Sequence, residues 1–180
     1  MNIIKLYFLW GVGMVINVAD LKLHPRTSQE FRLQENFSDE LLAHLNGHFL
    51  EPVKVTIKFE NTGRILVGQG MVHTVINLIC SRCLKDIAHQ VNTPINVVAA
   101  SPDEDHTEAE EYLLELRDNG DVDLSSSVEE AILFSLPLNP LCKDDCLGLC
   151  SGCGVDLNTR KCRCEQQEID PRWQKLNELK

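Results

Sequence analysis

Residues 53–83, VKVTIKFENTGRILVGQGMVHTVINLICSRC, carry the reading of this chain. Val53, Val55, Ile57 and Phe59 alternate with Lys54, Thr56 and Lys58, the period-two pattern of a strand with one face buried and one wet. Asn61-Thr62-Gly63-Arg64 supplies a turn. A second, longer strand is expected from Ile65 to Ile79, in which Gly68 and Gly70 suggest a bulge or bend. It runs into Cys80-Ser81-Arg82-Cys83, a C-x-x-C turn at a hairpin tip. That spacing lets two sulfurs face one point, which is half of a tetrahedral zinc site.

Outward from this hairpin, further strands are expected at Val15 to Val18, Gln29 to Glu35 and His89 to Val98. The last puts Val91, Thr93, Ile95 and Val97 on one face. Consecutive, closely linked strands favour an α+β fold: an antiparallel, curled or barrel-like β-meander with short helices and a C-terminal zinc-ribbon-like cysteine cluster. At 180 residues the chain is long enough to bury a core of its own. Four regions follow from composition: 1–13, a β-rich body over 14–100, an acidic connector over 101–123, and a helix with the cysteine cluster over 124–180, packed on the body. Residues 1–13 read as an over-long gene start or a disordered extension, with Met14 opening a more ordinary beginning. The apolar run Leu6 to Ala19 makes a poor signal peptide, because cleavage after Ala19 would put Asn17 where a small residue is needed. It is also too short to span a bilayer. The expected compartment is the cytoplasm, where thiols stay reduced.

Charge is concentrated. Between Asp103 and Asp123 stand ten acidic residues against Arg117 alone, so this segment carries −9 of the chain's net −10. Overall acidity argues against phosphate binding, and its confinement to one segment weakens that objection. Ser101 to Ala109 is expected to be a loop. Ser126 and Glu129 match a capping box opening a helix that stops before Pro137. Asp170-Pro171 reads as another helix start, with Trp173, Leu176 and Leu179 as an apolar stripe.

The strong chemistry lies in eight cysteines: Cys80, Cys83, Cys142, Cys146, Cys150, Cys153, Cys162 and Cys164. Cys150-Ser151-Gly152-Cys153-Gly154 is a second C-x-x-C turn whose glycines free the backbone to curl around a metal. The spacing favours Cys150, Cys153, Cys162 and Cys164 at one zinc, and Cys80, Cys83, Cys142 and Cys146 at another, for one or two ions in all. It leaves open a split of Cys162 and Cys164 between metals, because C-x-C strains a single tetrahedral site. Disulfides, a redox C-x-x-C and an iron–sulfur cluster use the same residues. The first needs an oxidising compartment, and the second lacks a βαβ context. A catalytic zinc keeps an open position and usually takes His or a carboxylate, and no histidine sits in the cluster. His44 and His48, four apart on an expected helical turn, are weaker ligand candidates. Asn36-Phe37-Ser38 is a sequon only outside the cytoplasm. No phosphate loop, dinucleotide fingerprint or nucleophile elbow occurs, so the chain is read as non-enzymatic, with no small-molecule substrate and no membrane partner.

Ile79-Cys80-Ser81-Arg82-Cys83-Leu84, Leu136-Pro137-Leu138-Asn139-Pro140-Leu141-Cys142, Cys146-Leu147-Gly148-Leu149-Cys150-Ser151-Gly152-Cys153-Gly154, Leu157-Asn158 and Asp170-Pro171-Arg172-Trp173 together resemble the YceD family, the large ribosomal RNA subunit accumulation proteins. The resemblance covers about Met14 to Lys180. It implies an accessory role in keeping 23S ribosomal RNA at normal levels, with ribosomal RNA, a pre-large-subunit particle or a ribosomal protein as partner. Arg82, Lys85, Arg160, Lys161 and Arg163 around the cysteines are then candidates for RNA contact. A bland alternative is that they balance the charge of two four-thiolate zinc sites, each about −2. A protein-interaction adaptor or a thiol redox sensor that never touches RNA is the competing function.

Overall fold

The computed structural model describes residues 13–100 and 113–164. Its elements run β1 (Val15–Asn17), α1 (Ala19–Lys22), β2 (Ser28–Glu35), a 3-10 helix (Asp39–Leu45), β3 (His48–Phe49), β4 (Val53–Asn61), β5 (Leu66–Ile79), β6 (Asp86–Ala100), β7 (Leu113–Glu115), β8 (Asp121–Asp123) and α2 (Ser125–Ser135). The expected strands are all present. β6 begins earlier than the alternation alone suggests, because its ladder with β5 runs up to the cysteine turn, Ile79 pairing with Asp86.

A six-stranded sheet has the order β2-β4-β5-β6-β7, with β3 pairing β5 beyond the end of β4. All neighbours are antiparallel except β6 and β7, which are parallel. The sheet is therefore mixed and open, with β2 and β7 at its edges. This corrects the barrel-like expectation. A barrel needs its edge strands to pair, and among the described residues β2 and β7 do not, while β1 and β8 form a separate two-stranded ribbon. The acidic stretch contributes β7 and β8, which pair with β6 and β1. Its charged residues hid buried Leu116 and Val122 from a composition-based reading.

The core lies on the face predicted for β4. Val53, Val55, Ile57 and Phe59 are all buried, as are Leu66, Val72, Ile76 and Leu78 of β5 and Val91, Ile95 and Val97 of β6. Gly68 and Gly70 produce no bulge, since both ladders of β5 run through them in unbroken register. They are small because the neighbouring strands crowd them. A Cβ at Gly68 would stand 2.7 Å from the Phe59 ring and 2.7 Å from Val97, and one at Gly70 would strike the Thr56 carbonyl. Phe59 uses that space to pack edge-on against Phe31, with centroids 6.1 Å apart.

α2 lies against β6 and β5 and buries Val128 and Ile132. The capping box is not formed. The helix starts at Ser125, so Ser126 is already inside it, and the Asp123 carboxylate accepts the Ser125 N–H at 2.9 Å in its place. Ser125 Oγ also accepts the Met14 N–H at 2.9 Å, tying β1 to the helix start. α2 ends as expected, at Leu136 in extended geometry before Pro137. His44 falls in the 3-10 helix and His48 in β3, so they share no helix face. Ser38 of the sequon caps the 3-10 helix, accepting the Glu40 N–H. The regions around Ser101 to Ala109 and Asp170-Pro171, and residues 1–12, lie outside the described residues. Among the described residues, no helix is long and apolar enough to cross a membrane.

Candidate metal centres

The β5–β6 hairpin ends in a tight knuckle. Cys80 N–H donates to the Lys85 carbonyl at 2.8 Å and Leu84 N–H to the Cys80 carbonyl at 3.0 Å, with Leu84 in the left-handed region at φ +59°. The segment leaving α2 returns to this knuckle, where Ser81 N–H donates to the Pro140 carbonyl at 2.8 Å. With the Cys142 N–H donating to Cys80 Sγ at 3.4 Å and Arg82 Nη1 to the Cys146 carbonyl at 2.8 Å, that contact holds Cys142 and Cys146 beside Cys80 and Cys83. The Cys83–Cys142 sulfurs stand 3.5 Å apart and the Cys80–Cys146 sulfurs 3.9 Å apart. Cys80, Cys83 and Cys146 are buried, with Ile87, Leu141 and Leu149 packed around them.

The second group forms on the chain that follows. Gly154 N–H donates to the Cys150 carbonyl at 2.8 Å, closing the Cys150–Cys153 turn. The chain loops back so that Cys162 Sγ lies 3.2 Å from Cys150 Sγ and 3.7 Å from Cys153 Sγ. Cys153 and Cys164 are exposed, whereas in the first group only Cys142 is. All eight cysteines are free thiols. Within each set of four, the sulfurs lie within 4.8 Å of one another, and the two sets are those favoured by the sequence spacing.

The distances suit a tetrahedral ion. With Zn–S near 2.3 Å, the sulfurs of a regular tetrahedron are about 3.8 Å apart. The recorded separations bracket that edge. The donors are four cysteine sulfurs with no histidine or carboxylate among them, the ligand composition of a closed structural site.

The electrostatics agree. Burial pushes the Cys80 thiol up, but the backbone N–H groups of Cys83, Cys142 and Arg82 together outweigh it and hold Cys80 at about 6. Cys142 is pushed up to about 12, first by the Cys83 sulfur and then by burial. In the second group the Cys153 N–H holds Cys150 at about 6, while the Cys162 sulfur pushes Cys164 up to about 12. Within each group, backbone donors thus favour one thiolate while neighbouring sulfurs disfavour another, so that four thiolates together would call for a cation.

Sequence reasoning missed the polar residues that join the groups. Asn158 lies between Cys153 and Cys162 in sequence, yet its side chain contacts Cys146 of the first group. Asp156 pairs with Lys85, which holds its carboxyl down to about 2. A D-x-N turn inside a loop bracketed by cysteines was the available signal. Of the basic candidates, Arg82 donates to the Cys146 carbonyl at 2.8 Å, and Lys85 is engaged by Asp156. Arg160, Lys161 and Arg163 are exposed on the loop of the second group.

Fold and site define an open mixed-sheet protein carrying paired four-cysteine groups at one hairpin tip. The family model described as Large ribosomal RNA subunit accumulation protein YceD matches residues 68–180, well over half the chain, and the chain belongs to that family. An uncharacterised protein of Mycobacterium tuberculosis (strain ATCC 25618 / H37Rv) is 32% identical over 142 residues, covering 78% of this chain and 66% of its own. One of Mycobacterium leprae is 29% identical over 129 residues, covering 71% and 59%. The Large ribosomal RNA subunit accumulation protein YCED homolog 1, chloroplastic, of Arabidopsis thaliana is 23% identical over 156 residues, covering 72% and 49%. The chain therefore spans about half to two thirds of the length of these relatives. No solved structure gives a significant match.

Proposed function

We propose that this chain is a non-enzymatic zinc-binding accessory factor in the accumulation or assembly of large-subunit ribosomal RNA. Cys80, Cys83, Cys142 and Cys146 hold one zinc, and Cys150, Cys153, Cys162 and Cys164 a second. The observation that carries this reading is the gathering of eight sulfurs into two four-thiol sets with near-tetrahedral edges, in a member of a family described by large ribosomal RNA accumulation. Four thiolates fill the coordination of each ion, so zinc supplies rigidity and no reaction centre. The first site fastens the end of the sheet to the segment after α2, and the second projects Arg160, Lys161 and Arg163 toward a phosphate backbone. Arg82 and Lys85 serve the junction between the sites.

Two measurements test this. Mass-spectrometric metal analysis of reduced, anaerobically purified protein is expected to give about two zinc per chain, whereas iron or no metal would overturn the zinc assignment. Co-sedimentation with pre-large-subunit particles is expected for the wild type and lost in the triple variant Arg160→Ala, Lys161→Ala, Arg163→Ala. Unchanged binding by that variant would refute the RNA contact.

A docking adaptor is the second reading, favoured by Leu84 and Leu147, each 65% exposed beside a cysteine of the first group. Phosphate contacts make affinity fall steeply with salt, and an apolar interface does not, so a salt titration separates the two.

A further inference from the structure

The loop between Cys153 and Cys162 belongs by sequence to the second group but completes the surroundings of the first. Asn158 Oδ1 accepts the Leu147 N–H at 2.9 Å, which fixes the orientation of the amide. Its Nδ2 then points at Cys146 Sγ, 3.5 Å away, and also donates to Asp156 Oδ1 at 2.7 Å. Asp156 accepts the Asn158 N–H at 2.9 Å on that same oxygen and offers the other to Lys85, two residues after Cys83. Behind these side chains the backbone is continuous. Asp156 bridges to Leu149, Leu157 N–H donates to the Gly148 carbonyl at 3.0 Å, and Leu149 N–H donates to the Arg82 carbonyl at 3.1 Å. Both ends of the loop are second-group cysteines.

We infer that Asn158, braced by Asp156, is a positioning residue of the first metal site, and that its loop couples the loading of the two sites. This rests on both groups holding zinc. Closing the second group on an ion pins the ends of the loop, lowering the entropy cost of presenting Asn158 to Cys146. An N–H donor on a thiolate stabilises its charge and orients it toward the ion, and loss of such outer contacts typically lowers metal affinity about 10–100-fold. Coupling of this kind is reciprocal, so filling the first site also favours the second.

Zinc titration in a competing chelator, read by native mass spectrometry as chains with no, one or two zinc ions, tests the inference. The wild type should pass from empty to doubly loaded with little singly loaded chain. Asn158→Ala should weaken the first site about tenfold and raise the singly loaded fraction, with circular dichroism unchanged. Asn158→Asp, which keeps the acceptor for Leu147 but sets a carboxylate oxygen against Cys146, should weaken it further. In the Cys153→Ser, Cys162→Ser background the first site should already be weakened, and Asn158→Ala should then add little. Statistical filling of two independent sites, or an Asn158→Ala loss of the same size in both backgrounds, would overturn the coupling alone. A wild-type chain that binds no zinc would overturn the metal reading and this inference with it.

Discussion

Gly148 and Gly154 provide a matched pair for testing how the two cysteine groups are held. Both are in the left-handed region, at φ +75° and +71°. Alanine at either position costs about 1–2 kcal/mol for placing a Cβ against its own carbonyl. Their surroundings differ. A Cβ at Gly154 meets nothing within 4 Å, whereas one at Gly148 stands 3.0 Å from the Arg82 carbonyl oxygen and 3.3 Å from the Arg82 Cβ. That carbonyl is backbone, held by the Leu149 N–H at 3.1 Å, and cannot rotate away. Overpacking of this kind adds about 1 kcal/mol or more. Gly154→Ala is therefore expected to cost about 1–2 kcal/mol and Gly148→Ala about 2–3 kcal/mol in urea unfolding followed by circular dichroism. With zinc bound as proposed, and that strain relieved on its loss, Gly148→Ala should weaken metal binding at the first group about five- to tenfold more than Gly154→Ala does at the second. Equal losses, or a Gly148→Ala variant milder than Gly154→Ala, would refute the claim that the Cys146–Cys150 turn is packed against the Arg82 knuckle.

Other expectations are simpler. A chelator should strip metal from the second group before the first, because two of its sulfurs, Cys153 and Cys164, are exposed and none is buried, while the first exposes Cys142 alone and buries Cys80, Cys83 and Cys146; alkylation mapping that finds those three labelled before Cys153 and Cys164 would contradict this. Ile132→Ala, with its side chain fully buried against the sheet, should cost about 2–4 kcal/mol, and Phe134→Ala, 82% exposed on the same helix, should change stability by about 0.5 kcal/mol or less. Asp156→Asn should lower the thermal midpoint by a similar amount at every pH from 6 to 8. The folded carboxyl sits at about 2 against an ordinary 3.8, so its contribution is complete above the ordinary value and fades only as pH falls through about 2. A gap between wild type and variant that closes between pH 8 and 6 would show that the Lys85 pairing is not its source.

Much of the sheet was legible because burial on one face writes itself as period-two alternation. Val53, Val55, Ile57 and Phe59 needed no partner to be recognised. Gly68 and Gly70 were visible as exceptions, but the alternation of one strand does not reveal what its neighbours press against it. The pair suggested a bulge or bend, where crowding by Phe59, Ile57 and Val97 is what requires glycine. β7 and β8 were hidden inside an acidic stretch, since three-residue strands are too short to establish a period and their pairing with β6 and β1 comes from the tertiary fold. The capping box failed for a related reason. A pattern of Ser and Glu is local, while the helix start was decided by Asp123 at the end of β8 and by Met14 across the chain.

By itself the sequence determined the candidate donors: eight cysteines, four of them in two C-x-x-C turns, with no histidine among them. Only the tertiary structure decided which sulfurs meet and how the two groups touch. Those outcomes depend on the Pro140 carbonyl reaching Ser81 and on Asn158 reaching Cys146, contacts between residues far apart along the chain or across a loop. Spacing limits what a turn can close. It carries no information about which distant backbone will satisfy the hydrogen bonds that the turn leaves open.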